Sequence, residues 1–361
     1  LVVHLCAIPP PPHRSSVGGV IRSKEGFVTL LLSLVLRLLR LLLQNLAQRL
    51  VRLAVVDRLE GVRTPGRAVP PVQLHRGTYR IAELPDARRA VAGPGRSVAV
   101  GGSGRHFQPV LIGSGFDLAG DVAALGPGVS GWNVGDAVFA AIDDQGAYTE
   151  YAVVPAKQLV RKPAQVSYAE VAAIPTAGLT ALQAIDALTL APGDKVVIQG
   201  ASGGVGHFAV QLAKLKGARV VAVASGANEM FVRSLGADEF VDYREQAVED
   251  EVKDADAVLD AVGGDTLAHS YALLREGGRI VSVAGRVDGA QLKARKLEGR
   301  SLGMDGNAAD LQRLADLVAA GKLRVAVEKT LPLSAAREAH EQSETGHARG
   351  KIVLVTDAEA G

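Results

Sequence analysis

A regular alternation of apolar runs and amphipathic segments after Pro192 constrains the fold of this chain more than any other feature. The short apolar runs predict buried strands, and the segments between them have the spacing of helices that bury one face. This alternation is typical of a parallel sheet covered by helices on both faces. The predicted strands are Lys195–Gln199, Arg219–Ala224, Glu239–Val241, Ala255–Leu259 and Arg279–Val283, and the predicted helices are Gly204–Lys216, Asn228–Leu235 and Leu267–Leu274.

The first of these strands runs into a glycine-rich turn, here called the glycine turn, with the sequence Gly200-Ala201-Ser202-Gly203-Gly204-Val205-Gly206. On the pattern G-x-G-x-x-G the aligned positions are Ala201, Gly203 and Gly206. Gly203 lets the backbone approach a pyrophosphate, and Gly206 lets the following helix pack closely on the strand. The helix N-terminus offers free N–H groups to phosphates. A tight turn is the structural alternative, but the flanking strand and helix predict a dinucleotide site.

The end of the second strand distinguishes between the nicotinamide dinucleotides. A carboxylate there binds the ribose 2′-hydroxyl of NADH and repels the 2′-phosphate of NADPH. This chain has Ala224 and Ser225, and no carboxylate before Glu229. The sequence therefore predicts NADPH rather than NADH, although residues 226–228 contain no arginine or lysine that could bind the phosphate.

The composition limits the classes of protein to which this chain can belong. A length of 361 residues suffices for two domains. Apolar residues make up 48% and charged residues 22%, as in a globular protein, and a net charge of +2 predicts no nucleic-acid partner. The single cysteine, Cys6, excludes an internal disulfide and a cysteine-rich zinc site. One cysteine fits a reducing compartment, and we expect a cytoplasmic protein.

Residues 1–75 form an atypical extension rich in leucine and arginine. In the stretch Phe27–Leu53, polar residues recur every three or four positions and predict one polar stripe on an apolar helix. The apolar run Phe27–Leu36 is too short for a membrane span, and no small-residue cleavage site of a signal peptide follows it. A partner-binding or interfacial helix and an upstream or misread coding sequence both stay open. The polar positions are Arg37, Arg40, Gln44, Gln48 and Arg52.

Further motifs surround the glycine turn in a fixed order. They are Gly115-Phe116-Asp117-Leu118-Ala119-Gly120, Val134-Gly135-Asp136-Ala137-Val138-Phe139, Gly146-Ala147-Tyr148-Thr149-Glu150-Tyr151, Pro175-Thr176-Ala177-Gly178-Leu179-Thr180-Ala181, Asp260-Ala261-Val262-Gly263-Gly264 and Gly346-His347-Ala348-Arg349-Gly350-Lys351-Ile352-Val353. With these motifs, the segment Gln108–Asp357 resembles the zinc-independent quinone oxidoreductases of the medium-chain dehydrogenase/reductase superfamily.

The resemblance implies an α/β protein with a Rossmann doubly wound parallel sheet and a GroES-like β domain. The GroES-like domain would comprise residues 76–165 and 305–361, and the Rossmann domain residues 166–304. The active site would lie between the domains, and a homodimer is implied. The residues implied near the nicotinamide are Thr180, Val283, Ala284 and Gly285, and those near the adenosine are Ser225 and Tyr243.

The segment 76–108 departs from the family, because the Asn-Pro-x-Asp sequence that helps to shape the substrate cleft is absent and Gly101–His106 stands in its place. A non-catalytic NADPH-binding protein is therefore one alternative function. The ligands of a zinc alcohol dehydrogenase are also absent. Without a Lewis acid, the favoured reaction is hydride transfer from NADPH to a quinone or an α,β-unsaturated carbonyl, helped by orientation that can contribute roughly 7–11 kcal/mol. A trans-acting enoyl reductase of polyketide or lipid synthesis is the second alternative.

No catalytic residue is assigned from the sequence. Tyr148 and Tyr151 are candidate proton donors, but aromatic strand residues more often belong to a core. His207 is interpreted as a surface or packing residue. Lys351, before the last strand, is interpreted as a solvated lysine, with contact to a substrate or cofactor edge as the alternative.

Overall fold

The computed structural model describes residues 2–4, 97–101, 115–126, 128–142 and 146–356. The predicted helix within Phe27–Leu53 and most of the segment 76–108 lie outside these residues. Within the described part, the strands in chain order are β1 Val2–His4, β2 Ser97–Gly101, β3 Asp117–Leu125, β4 Ala137–Ala141, β5 Tyr151–Pro155, β6 Val160–Arg161, β7 Lys195–Gln199, β8 Arg219–Ala224, β9 Glu239–Asp242, β10 Ala255–Asp260, β11 Leu274–Ser282, β12 Glu298–Ser301, β13 Val327–Pro332 and β14 Lys351–Val355.

A mixed eight-stranded sheet contains the early strands together with the last two. Its order is β13-β14-β1-β3-β2-β5, and β4 pairs with β3 and β6. Strand β14 is parallel to β13 and antiparallel to β1, which in turn is antiparallel to β3. The end of the chain therefore returns to a sheet that begins before the Rossmann strands. Buried aliphatic side chains on one face form its core, among them Leu118, Val138, Val154 and Leu354.

The second sheet has six parallel strands in the order β12-β11-β10-β7-β8-β9. This is the strand order of a Rossmann sheet, and it confirms the predicted fold class. Strands β7, β8 and β10 are buried almost throughout, because helices cover both faces of a doubly wound sheet. The order reverses between β7 and β10, and ligands bind at that point outside the carboxyl ends of the strands.

Two of the three predicted Rossmann helices begin and end close to the predicted positions, at Gly206–Leu215 and Glu229–Ser234. Ser167 caps the first helix in a capping box, since its hydroxyl accepts from the Glu170 N–H at 3.2 Å and the Glu170 carboxylate accepts from the Ser167 N–H at 3.0 Å. The helices in the described part are α1 Tyr168–Ala172, α2 Pro175–Ala187, α3 Gly206–Leu215, α4 Glu229–Ser234, α5 Val248–Glu251, α6 Gly264–Ser270, α7 Gly289–Arg295, α8 Ala308–Ala319 and α9 Ala336–Glu344.

Some local predictions were wrong or absent. The predicted helix Leu267–Leu274 ends at Ser270, and Leu274 instead pairs with Ala255 in the parallel sheet. Tyr148 lies in a bend before β5 rather than in a strand. Neither β12, whose residues are all exposed, nor α7, which buries none of its residues, was predicted. Segments without a buried face have no apolar periodicity to reveal them.

One core cluster joins the two sheets. It contains Ala119, Phe139 and Val353 of the eight-stranded sheet together with Leu179 of α2 and Ile198 of β7. Phe139 and Phe208 are among the largest fully buried side chains. Helix α2 and the central strand β7 are thus joined to the eight-stranded sheet by continuous apolar packing. None of the described helices combines the length and apolar character needed to cross a bilayer.

Candidate active site

The glycine turn connects the carboxyl end of β7 to α3, as predicted. Gly200 has φ +71°, a left-handed conformation that favours glycine. A Cβ at Gly206 would lie 2.7 Å from the Cα of Ala201, so the first turn of α3 can approach β7 only because residue 206 has no side chain. Ala201 is fully buried under this contact.

The outer side of the glycine turn is open enough to receive a ligand. A Cβ at Gly203 would meet only the Gly200 carbonyl oxygen, at 3.4 Å, and residues 202–205 are partly exposed. Several backbone N–H groups at the start of a helix lie here, which is the usual arrangement for binding a phosphate. The turn therefore fits the pyrophosphate of a dinucleotide.

A buried carboxylate fixes the two neighbouring loops. Asp260, at the end of β10, accepts hydrogen bonds from the N–H groups of Val262 at 3.1 Å and Gly263 at 2.9 Å, and from the Ser282 hydroxyl at 2.6 Å. The Ser282 hydroxyl in turn accepts from the Gly285 N–H at 2.9 Å. The predicted nicotinamide loop, residues 283–285, is thereby tied to the loop after β10.

The loop after β10 also meets the glycine turn, since a Cβ at Gly200 would lie 3.0 Å from Val262 Cγ2. The structure therefore brings the predicted residues Val283, Ala284 and Gly285 to the same edge of the sheet as residues 200–206. The carboxyl ends of parallel strands meet at one edge of the sheet, so residues far apart in the sequence can form a single site there.

Ser225 and Tyr243 follow two neighbouring strands at that edge. Ala224 pairs with Asp242, and the Tyr243 N–H donates to the Ala224 carbonyl at 3.4 Å. Ser225 is buried, whereas Tyr243 is 50% exposed. The structure also brings in Asp242, whose carboxylate contacts Gly226. Sequence reasoning missed this carboxylate because it ends the third Rossmann strand, β9, rather than the second, β8.

Thr180 lies one turn further along α2 than Thr176. Its hydroxyl donates to the Thr176 carbonyl at 2.6 Å, and the side chain is buried. The Thr176 N–H donates to Asp117 Oδ1 of β3 at 2.9 Å. These contacts place Thr180 beside the boundary of the two sheets, and they link it to β3 rather than to the glycine turn.

Lys351 is not the solvated lysine that the sequence predicted, because it is only 1% exposed. It begins β14, and its side chain lies across the glycine turn: a Cβ at Gly204 would be 3.2 Å from Lys351 Cδ and 3.6 Å from Nζ. The prediction was wrong because the pairing of β14 inside the eight-stranded sheet buries this residue. A buried ammonium needs compensating groups nearby.

One of the charges near Lys351 is Asp117. Burial raises the pKa of the Asp117 carboxyl to about 6, while the positive charge of Lys351 and the hydrogen bonds from Thr176 act in the opposite direction. Asp117 Oδ2 is buried with no hydrogen-bond partner among the described residues. The sequence shows Asp117 only as part of a motif, because the lysine that acts on it is more than two hundred positions away along the chain.

His207 is a packing residue on α3. Its Nδ1 lies 3.0 Å from the Gly203 carbonyl oxygen, and Nε2 accepts from the Ala326 N–H at 3.4 Å. A carbonyl only accepts and a backbone N–H only donates, so these partners select the neutral tautomer with the proton on Nδ1. Burial lowers the pKa of His207 to about 3. The ring braces the glycine turn from behind and is fully buried.

We expect His207 to make the fold sensitive to acid. Its folded-state pKa is lower than the usual 6.5, so the stabilisation is present above pH 6.5 and is lost as the pH falls towards 3. Between pH 7 and pH 5 the wild-type protein should lose about 2 kcal/mol more unfolding free energy than His207→Gln. Urea denaturation at both pH values measures this, with the exposed His269→Gln as the control. An equal change in wild type and His207→Gln would contradict it.

The two candidate tyrosines have different surroundings. The Tyr148 ring contacts the His340 ring at a centroid distance of 5.7 Å. The Tyr151 hydroxyl is buried with no hydrogen-bond partner among the described residues, and burial raises its pKa.

The residues that the structure describes contain no group of three or more histidine, cysteine and acidic side chains arranged to hold a metal ion.

A dinucleotide-type turn at the switch point of a Rossmann sheet, joined to a β sheet, defines a two-part oxidoreductase architecture, and comparisons with known proteins agree. Residues 90–164 match the family model "Alcohol dehydrogenase GroES-like domain", and residues 235–354 match "Zinc-binding dehydrogenase". A chloroplast envelope quinone oxidoreductase homolog of Arabidopsis thaliana is 38% identical over 66% of this chain and 78% of that protein.

Solved structures give the same result. The quinone oxidoreductase from Coxiella burnetii is 36% identical with a TM-score of 0.62, covering 67% of this chain and 78% of that one. The Escherichia coli quinone oxidoreductase complexed with NADPH is 27% identical with a TM-score of 0.62, covering 69% and 84%. The chain belongs to the quinone oxidoreductase family of the medium-chain dehydrogenase/reductase superfamily, which confirms the resemblance inferred from its motifs.

Proposed function

We propose that this chain is an NADPH-dependent, zinc-independent reductase of quinones or α,β-unsaturated carbonyls. The observation that carries the proposal is the convergence of the glycine turn, the Asp260-anchored loops and Ser225 at the switch point of the Rossmann sheet. The E. coli relative whose structure contains NADPH has the same fold. We also propose the domain boundaries predicted from the sequence, with residues 166–304 as the dinucleotide-binding domain.

Different residues of this chain would bind different parts of the cofactor. The glycine turn, residues 200–206, would hold the pyrophosphate through backbone N–H groups. Ser225 and Tyr243 would hold the adenosine end, and Thr180 with residues 283–285 would hold the nicotinamide end. NADPH supplies the hydride when bound. The Asp260–Ser282 hydrogen bonds keep the loop 283–285 in one position, and preorganisation of this kind lowers the cost of orienting the reactants.

The proposal of a zinc-independent reaction rests on the donor set. The whole chain has one cysteine, and the described residues offer no metal-binding cluster. Electron-poor acceptors need less polarisation than an alcohol does, so a site built mainly for orientation suits them. A homodimer and a cytoplasmic location remain predictions from the sequence.

Steady-state oxidation of NADPH by the purified full chain tests the proposal. We expect turnover with a small quinone or an α,β-unsaturated ketone, and at least a tenfold preference for NADPH over NADH. Turnover with an enoyl thioester alone would favour an enoyl reductase. Tight NADPH binding without turnover of any acceptor would favour a non-catalytic binding protein, and a tenfold preference for NADH would contradict the cofactor assignment.

A further inference from the structure

The segment that precedes β14 lies against the turn that follows β8, although the two are about 120 positions apart in the chain. Arg349 Nε donates to Asn228 Oδ1 at 2.9 Å, and its NH2 group donates to the Ala227 carbonyl at 3.1 Å. The guanidinium also lies 5.4 Å from the centre of the Phe231 ring. Arg349 is therefore fixed at the end of the second Rossmann strand.

That position is where a Rossmann sheet meets the adenosine ribose of a dinucleotide. Asn228 connects Arg349 to the residue predicted to contact this ribose, because its amide donates to the Ser225 hydroxyl at 3.1 Å. Both Ser225 and Asn228 are at least nine-tenths buried. A chain of hydrogen bonds thus runs from the guanidinium through Asn228 to Ser225.

A phosphate at this site needs a cation nearby, because a carboxylate lies beside the site. The Asp242 carboxylate contacts Gly226 on the neighbouring strand end, and a 2′-phosphate would be repelled by it. Residues 226–228 supply no positive charge. Arg349 has five N–H donors, of which two are used by the acceptors named above within the described part of the chain. The planar guanidinium is well suited to phosphate oxygens.

The backbone next to Arg349 is held in place by its neighbours. The Gly350 N–H donates to the Ser202 carbonyl of the glycine turn at 2.8 Å. Gly350 has φ +68°, and a Cβ there would lie 2.8 Å from Ala326 Cβ. The segment 349–350 therefore runs along the cofactor edge from the end of β8 to the glycine turn, and Arg349 is positioned before any ligand arrives.

We propose that Arg349 binds the 2′-phosphate of NADPH and so determines the preference of this chain for NADPH over NADH. The proposal rests on the proposed function, since it assigns a residue to the cofactor site of that reductase. Residues 226–228, which follow β8, contain no cation. In this proposal Arg349, in the segment before β14 of the eight-stranded sheet, provides the positive charge instead.

Equilibrium binding of NADPH and NADH to the full chain tests this role without relying on turnover. Arg349→Gln should weaken NADPH binding by about tenfold to a hundredfold and leave NADH binding unchanged within about twofold. Arg349→Lys, which keeps the charge, should recover part of the NADPH affinity. Arg233→Gln, which removes a nearby exposed arginine paired with Glu229, should behave like wild type. The fragments 2′,5′-ADP and 5′-AMP should reproduce the contrast between NADPH and NADH.

Several results would overturn the assignment. Equal weakening of both cofactors by Arg349→Gln would mean that Arg349 only anchors the turn after β8, and no weakening of either would mean that the phosphate binds elsewhere. A wild-type preference for NADH would overturn the Arg349 role while leaving a reductase in place. Arg349-dependent NADPH binding without turnover of any acceptor would overturn the reductase and support the Arg349 role.

Discussion

Gly206→Ala is expected to weaken dinucleotide binding strongly and to destabilise the fold. The new Cβ would lie 2.7 Å from the Cα of Ala201 and closer still to the Gly200 carbonyl oxygen, and both of these groups belong to backbone that cannot move independently. Helix α3 would have to shift away from β7, at a cost of about 3 kcal/mol or more. The N–H groups at the start of the helix would move with it, so we expect NADPH affinity to fall by roughly a hundredfold or more.

Two alanine variants separate the effect on binding from the effect on folding. At Gly203 a Cβ would meet only the Gly200 carbonyl oxygen at 3.4 Å, so Gly203→Ala should fold normally and yet hinder the approach of the pyrophosphate. At Gly289, the first residue of α7, a Cβ would meet nothing within 4 Å, so Gly289→Ala should match wild type in both properties. Titration with NADPH and urea denaturation measure the two effects. Normal NADPH affinity in both Gly203→Ala and Gly206→Ala would show that the dinucleotide binds elsewhere.

Lys351→Met is expected to destabilise the protein in a pH-dependent way. It removes a buried cation whose charge favours the ionised form of Asp117. Breaking a direct buried ion pair by removing one partner typically costs about 3–5 kcal/mol, and we expect a smaller loss here, because Lys351 acts on Asp117 through its electrostatic field. Without the cation the pKa of Asp117 should rise further above its present value of about 6.

The sign of the pH effect follows from that raised pKa. An acid whose folded-state pKa exceeds the unfolded value contributes stability that is complete below pH 3.8 and is lost as the pH rises through about 6. Lys351→Met should therefore lose most stability at pH 8 and much less at pH 5, where Asp117 takes up a proton. Urea denaturation at both pH values measures the difference.

Two further variants control this experiment. Asp117→Asn combined with Lys351→Met should recover much of the lost stability at pH 8, because neither charge is then buried alone. Lys329→Met removes an exposed lysine of the adjacent strand β13 that pairs with Glu338, and it should change stability little at either pH. Equal destabilisation by Lys351→Met at pH 5 and pH 8 would contradict the coupling to Asp117.

The agreement between the predicted and the observed elements depends on the kind of sequence pattern. Strands β7 and β8 were predicted at their observed bounds because each is a short apolar run buried on both faces. The capping box at Ser167 and Glu170 can be recognised from the sequence because it depends on residues three positions apart. The exposed strand β12 was missed because it has no buried face, and pairing alone holds it in the sheet.

The sequence by itself determined the Rossmann fold class, the family and the position of the glycine turn between β7 and α3, since these depend on local spacing and on contacts between residues close in the chain. Only the tertiary structure decided the surroundings of that turn. Lys351 is buried beside it, His207 is a neutral brace behind it, and Arg349 reaches the end of β8, where the sequence offers no cation. These placements follow from the return of β14 to the eight-stranded sheet, and a pairing over such a distance leaves no pattern within a window of neighbouring residues.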